Sequence, residues 1–143
     1  MSTHTRRHLR TWLIPATLLV ILSCFFITRT ALAKITLNTI DPVGIVSDKG
    51  RQVTVTGPIA VTAGERTELR VTVTQRSTGA IAEGVIFFSG TDQTNQWEVT
   101  AMTEGRAGFE AGPATVVGLA RSSVPGQATD AHQWLVNVTL LSE

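Results

Sequence analysis

The chain has 143 residues, with twelve Lys and Arg against eleven Asp and Glu for a net charge of +1, and it holds a single cysteine. One cysteine excludes an internal disulfide framework and any multi-thiolate metal centre. The near-balance of charge excludes the broad basic footprint of a nucleic-acid binder.

Residues 1–33 have the organisation of a secretory signal peptide, for which a signal helix is expected. Arg6, Arg7 and Arg10 form a basic head, Leu13 to Ile27 is almost wholly apolar, and Ala31-Leu32-Ala33 supplies an A-x-A cleavage site. Cleavage after Ala33 would start the mature chain at Lys34. The apolar run is shorter than the ~20 residues that span a bilayer, which favours removal over a retained anchor. Ile21-Leu22-Ser23-Cys24 resembles a lipoprotein box. Lipidation at Cys24 and an uncleaved leader are therefore the two routes by which a membrane would enter. Thr5 to Leu9 also resembles a twin-arginine export signal, although Arg10 stands where an apolar residue is expected.

Four basic residues (Arg6, Arg7, Arg10, Arg29) precede residue 34 and every acidic one follows it, so residues 34–143 carry a net charge of −3 and no cysteine. This segment is expected to fold as one disulfide-free domain, secreted or periplasmic.

Its apolar period is two. Ile35–Leu37 is a first short candidate strand. In Gln52–Thr56, Val53 and Val55 alternate with threonines, and Gly57-Pro58 is expected to interrupt the run because proline cannot donate to a ladder. In Arg66–Arg76, Leu69, Val71 and Val73 alternate with charged residues and threonines, as a half-buried strand requires. Ile81–Phe88, Gln96–Thr103, Ala114–Ala120 and His132–Leu141 complete the series, separated by turn residues such as Ala63-Gly64-Glu65, Ser77-Thr78-Gly79 and Pro125-Gly126. The pattern predicts an all-β, antiparallel, immunoglobulin-like β-sandwich of about 7–8 strands. The expected core is Val53, Val55, Leu69, Val71, Val73, Val85, Phe87, Trp97, Val99, Phe109, Val116, Trp134, Val136, Val138 and Leu140. Val85-Ile86-Phe87-Phe88 is apolar on both faces, which means either a covered strand or an exposed face for a ligand.

Chemical motifs are few. Asp130-Ala131-His132 puts a carboxylate and the only imidazole after residue 33 on one side of an extended backbone, and Ser122 or Ser123 would be the nucleophile of a small hydrolase built there. No nucleophile elbow accompanies them. Glu98, Glu104, Glu110, Asp92 and Asp130 are the carboxylates available to a hard cation, but no loop has calcium-ligand spacing. Asn137-Val138-Thr139 fits a glycosylation sequon inside a predicted strand. No catalytic, cofactor or metal residue is therefore assigned.

Gly57-Pro58-Ile59, Thr62 to Glu65, Val71 to Gln75, Gln96 to Val99, Gly112 to Thr115 and Thr129 to Trp134 together resemble a family of small secreted bacterial domains of unassigned function. The resemblance implies a bacterial exported protein and contributes no activity. Where such domains carry cysteines near the positions of Val61, Ser89 and Val117, this chain has none, and aliphatic packing takes the place of a cross-link. The expected function is a non-catalytic binding or structural domain of the cell envelope or extracellular space. Its partner would be a protein, glycan or small ligand, and the alternative is the hydrolase using His132 and Asp130.

Overall fold

The computed structural model describes residues 34–126 and 129–143. The leader, its expected helix and Cys24 lie outside the described residues. Eight strands follow in chain order: β1 (Ile35–Asn38), β2 (Val43–Ser47), β3 (Gln52–Val61), β4 (Arg66–Gln75), β5 (Ala80–Ser89), β6 (Thr94–Glu104), β7 (Gly112–Ser123) and β8 (Asp130–Ser142).

The strands do not form two separate sheets. Hydrogen bonding runs β3-β2-β8-β7-β4-β5-β6 and returns to β3, closing a seven-strand β-barrel, with β1 as an eighth strand on β3. This corrects the expected sandwich. Two short seams make the difference: parallel pairing of Val43–Val46 with Thr139–Ser142, and antiparallel pairing of Ile81–Glu83 with Met102–Glu104. Seams of three or four residue pairs leave no periodic trace in a sequence, whereas the alternation that fixes the inward face reads the same in a sandwich and a barrel.

Both seams lie at one end. There β2 finishes, β3 begins at Gln52 opposite Met102, and β7 begins at Gly112 opposite Leu140. Toward the other end β5 leaves β6 beyond Glu83, and β8 has no ladder to β1 or β2 before Thr139. The barrel is thus a continuous ring at its first end and splayed at its second.

β1 and β2 occupy successive stretches of one edge of β3, against Ile59–Val61 and Gln52–Thr54. Between them Thr39 N–H donates to Pro58 O at 3.3 Å and Asp41 N–H to Thr56 O at 2.8 Å. Pro58 lies opposite this crossing, so β3 continues through Gly57-Pro58 rather than ending there. A missing donor is tolerated where the neighbouring ladder is already broken.

Alternation places Val53, Val55, Leu69, Val71, Val73, Trp97, Val99, Val116, Val138 and Leu140 in the buried core, joined by Phe109 from the β6–β7 connection. Trp134 and Val136 face the same interior and are partly buried. The phase of β5 differs from expectation. Ala80 and Ala82 are fully buried, which fixes even-numbered residues inward, so Ile86 and Phe88 pack on the core while Val85 and Phe87 point outward at 40% and 63% exposure. Where four consecutive residues are apolar, only the neighbouring alanines carry the phase.

Among the described residues each indole is admitted by a glycine on the paired strand. Gly57 faces Trp97 and Gly118 faces Trp134 in the ladder. A Cβ on Gly118 would lie 2.7 Å from Cε2 and Cζ2 of Trp134. A Cβ on Gly57 would lie 2.2 Å from Thr39 O and 2.8 Å from Cζ2 of Trp97. Burying a tryptophan removes on the order of 150–250 Å² from water, which makes these two rings the largest single contributions to the interior. Gly57→Ala is expected to lower unfolding free energy by about 2–3 kcal/mol in urea denaturation, since backbone and ring must both shift.

Candidate functional site

At the splayed end the chain assembles a buried polar cluster. Glu65 leaves the β3–β4 turn and is 2% exposed, with Thr67 and Ser122 fully buried beside it. Ser122 Oγ donates to Glu65 Oε2, and Thr67 Oγ1 donates to Ser122 Oγ at 3.3 Å. The backbone N–H of Lys34 meets both Glu65 oxygens, at 3.1 and 3.2 Å. The turn itself is fixed by main-chain bonds from Gly64 N–H to Gly90 O and from Gly90 N–H to Glu65 O, at 3.1 and 2.8 Å. A carboxylate so enclosed is tolerated because its oxygens are occupied by donors.

This cluster decides the fate of the hydrolase residues. Asp130 Oδ2 accepts the Ile35 N–H at 2.8 Å and lies 3.4 Å from His132 Nε2, so the expected Asp130–His132 pair does come together. Ser122, opposite Asp130 in the β7–β8 ladder, turns its hydroxyl to Glu65 instead of His132. Ser123 points to the outer face, where it lines a hollow with Arg66, Phe87 and Arg121. Neither serine is hydrogen-bonded to His132, and the nucleophile–base contact that acyl transfer requires is not assembled.

Glu98, Glu104, Glu110, Asp92 and Asp130 are not gathered into a cation site. Among the described residues no three His, Cys, Asp or Glu side chains lie close enough to hold an ion. Asp92 instead accepts the Ala63 N–H at 2.8 Å, and Asp130 anchors β1.

Two surfaces at this end can take a ligand. Where β5 and β6 part, a cleft of about 350 Å³ is lined by Ile59, Ile86, Phe88 and Trp97, with Asn95 and Gln96 at its polar side. The adjoining outer face of β5, β4, β7 and β8 carries exposed Val85, Phe87 and Leu135. Register places Glu68 between Phe87 and Arg121, and Arg70 between Val85 and Leu119. Arg70 lies 3.5 Å from Glu68. Sequence reasoning placed Val85 and Phe87 in the core and treated Glu65 as a turn residue. The alanines at 80 and 82 were the available signal for β5, and nothing local marks Glu65, whose partners come from β1 and β7.

No known family model matches the chain, and no curated protein matches it.

Ser122→Ala is expected to cost about 1–3 kcal/mol of stability, because it removes the hydroxyl donor to buried Glu65 and the acceptor of buried Thr67. His132→Ala, which removes only a half-exposed pair, should change it by less than about 1 kcal/mol. Urea denaturation of both variants checks the contrast.

Proposed function

We propose that this is an exported, non-catalytic binding domain of a bacterial cell envelope or extracellular space, which engages its ligand at the splayed end of the barrel. The signal-peptide organisation of residues 1–33 supports export, and the resemblance to small secreted bacterial domains supports the bacterial setting. One observation carries the binding reading: Phe87 stands 63% exposed on a strand whose opposite face packs on the core. An aromatic ring exposed to water, with aliphatic neighbours and charged rims, is the surface that partner recognition uses.

The chemistry of that face narrows the ligand. Arg66, Arg70 and Arg121 surround Phe87 and Val85 on an otherwise acidic domain, with Glu68 opposite Phe87. Guanidinium groups pair with carboxylates and lie along apolar surface by their stems. The complementary ligand has acidic groups beside an apolar patch, as on a protein surface or an acidic peptide. Commitment of Ser122 to Glu65 supports a non-catalytic role for the neighbouring Asp130–His132 pair.

Phe87→Asp should leave the melting temperature nearly unchanged, because the ring is largely solvated, while removing the companion that co-purifies with the exported protein. Met102→Asp, exposed on the neighbouring β6 at the closed end of the barrel, should retain it. Equal recovery of the companion with both variants, or no companion with the unaltered protein, contradicts the reading.

A further inference from the structure

We propose that Glu65 is the receptor for the α-ammonium group of Lys34, a charge that exists only after the chain is cut between Ala33 and Lys34. The inference rests on the signal-peptide reading of residues 1–33 and adds to it a structural role for the new terminus. Hydrolysis of the Ala33–Lys34 amide by water, carried out by an export peptidase, leaves a carboxylate on Ala33 and an amine on Lys34. At neutral pH that amine takes up a proton.

Three observations support this. First, Glu65 is almost wholly buried, and among the described residues no Lys, Arg or His side chain lies within ion-pairing distance of it. A buried carboxylate without a counter-charge is costly, and one with a cation in contact is much less so. Second, Lys34 N sits 3.1 and 3.2 Å from the two carboxylate oxygens. A peptide nitrogen can only share its single hydrogen between the two oxygens, whereas an ammonium has three and gives each oxygen its own. Third, Lys34 is held at its other end as well. Its carbonyl accepts the Thr62 N–H at 3.2 Å and Thr62 Oγ1–H at 3.3 Å. The same Thr62–Glu65 turn therefore grips both backbone groups of the residue that cleavage makes first.

The consequence is a maturation step built into the barrel. The receptor lies where β8 and β1 have no ladder, bridged only by Asp130 and the Ile35 N–H. Ammonium binding at Glu65 fastens β1 to β4 through that turn and to β7 through Ser122. Other ionisable groups at this end are Asp130 and His132 on β8, Asp92 on the β5–β6 connection where it accepts the Ala63 N–H of the same turn, and the side chain of Lys34 itself, with Arg66 turned to the outer face. Asp130 reinforces the retention of a proton on Lys34, and His132 opposes it when charged.

The test uses the full chain expressed in a secreting host. Intact mass of the exported product comes first: a mass beginning at Lys34 is expected, and any other start overturns the signal-peptide cleavage and the pairing with it. Acetylation of the α-amine is then followed against pH by peptide mapping, in the native and the urea-unfolded protein. Pairing predicts a native midpoint at least one unit above the ~7.7–8.0 of a free α-amine, so that modification at pH 8 is at least about fourfold to fivefold slower than in urea. An unpaired but buried amine would shift the opposite way. A native midpoint at or below the ordinary value, in a product that does begin at Lys34, overturns the pairing alone. In Glu65→Gln the upward shift should vanish, and its persistence would contradict the assignment; the native measurement stands without this variant should it not fold.

Discussion

Parallel pairing of β2 with the end of β8 is the contact on which the architecture depends. Without it, β8 would end as a free edge, and β2 would hang on three residue pairs with β3. With it, the strand that follows the Asp41-Pro42 crossing joins β3 to the last strand of the domain, and the backbone closes on itself. Closure removes the exposed edges that an isolated sheet would offer to other chains. It does so at one end only, and the other end is left to side chains.

That division of labour explains where the unusual residues are. Trp97 and Trp134 lie above the seams, at the levels where the flanking strands part, and each is faced by a glycine that leaves room for the ring. Beyond them the end is sealed by the Glu65–Ser122–Thr67 cluster and the start of β1. At the closed end Gln75, fully buried, grips the main chain of Glu110 through two bonds of 2.9 Å, fixing the long β6–β7 connection across the barrel mouth. Apolar burial supplies most of the driving force, while these polar contacts define which loop sits where.

The all-β class and most inward-facing residues were legible because alternation is a local signal: Leu69, Val71 and Val73, or Val136, Val138 and Leu140, announce their face within a few positions. The barrel was not. Its closure depends on β2, a five-residue strand containing Gly44 and following Pro42, whose partner is almost a hundred residues away. The β5 phase was ambiguous because Val85 to Phe88 are all apolar, and tertiary packing of Ala80 and Ala82 settled it. For the site, Asp130 and His132 were close in sequence and are close in space, whereas Ser122 was drawn away by a carboxylate from β3–β4 that no spacing rule connects to it.

The closed ring is tested most directly at the β2–β8 seam, by residue-resolved amide hydrogen exchange together with inter-strand proton contacts in solution. Thr139 N–H donates to Pro42 O at 2.8 Å and Glu143 N–H to Val46 O at 3.0 Å. The barrel predicts slow exchange at both amides, the last residue of the chain included, with short contacts between Ile45 and Leu141. Rapid exchange at Thr139 and Glu143, with Val43 to Ser47 exchanging as an open edge, would show two unjoined sheets and contradict the account.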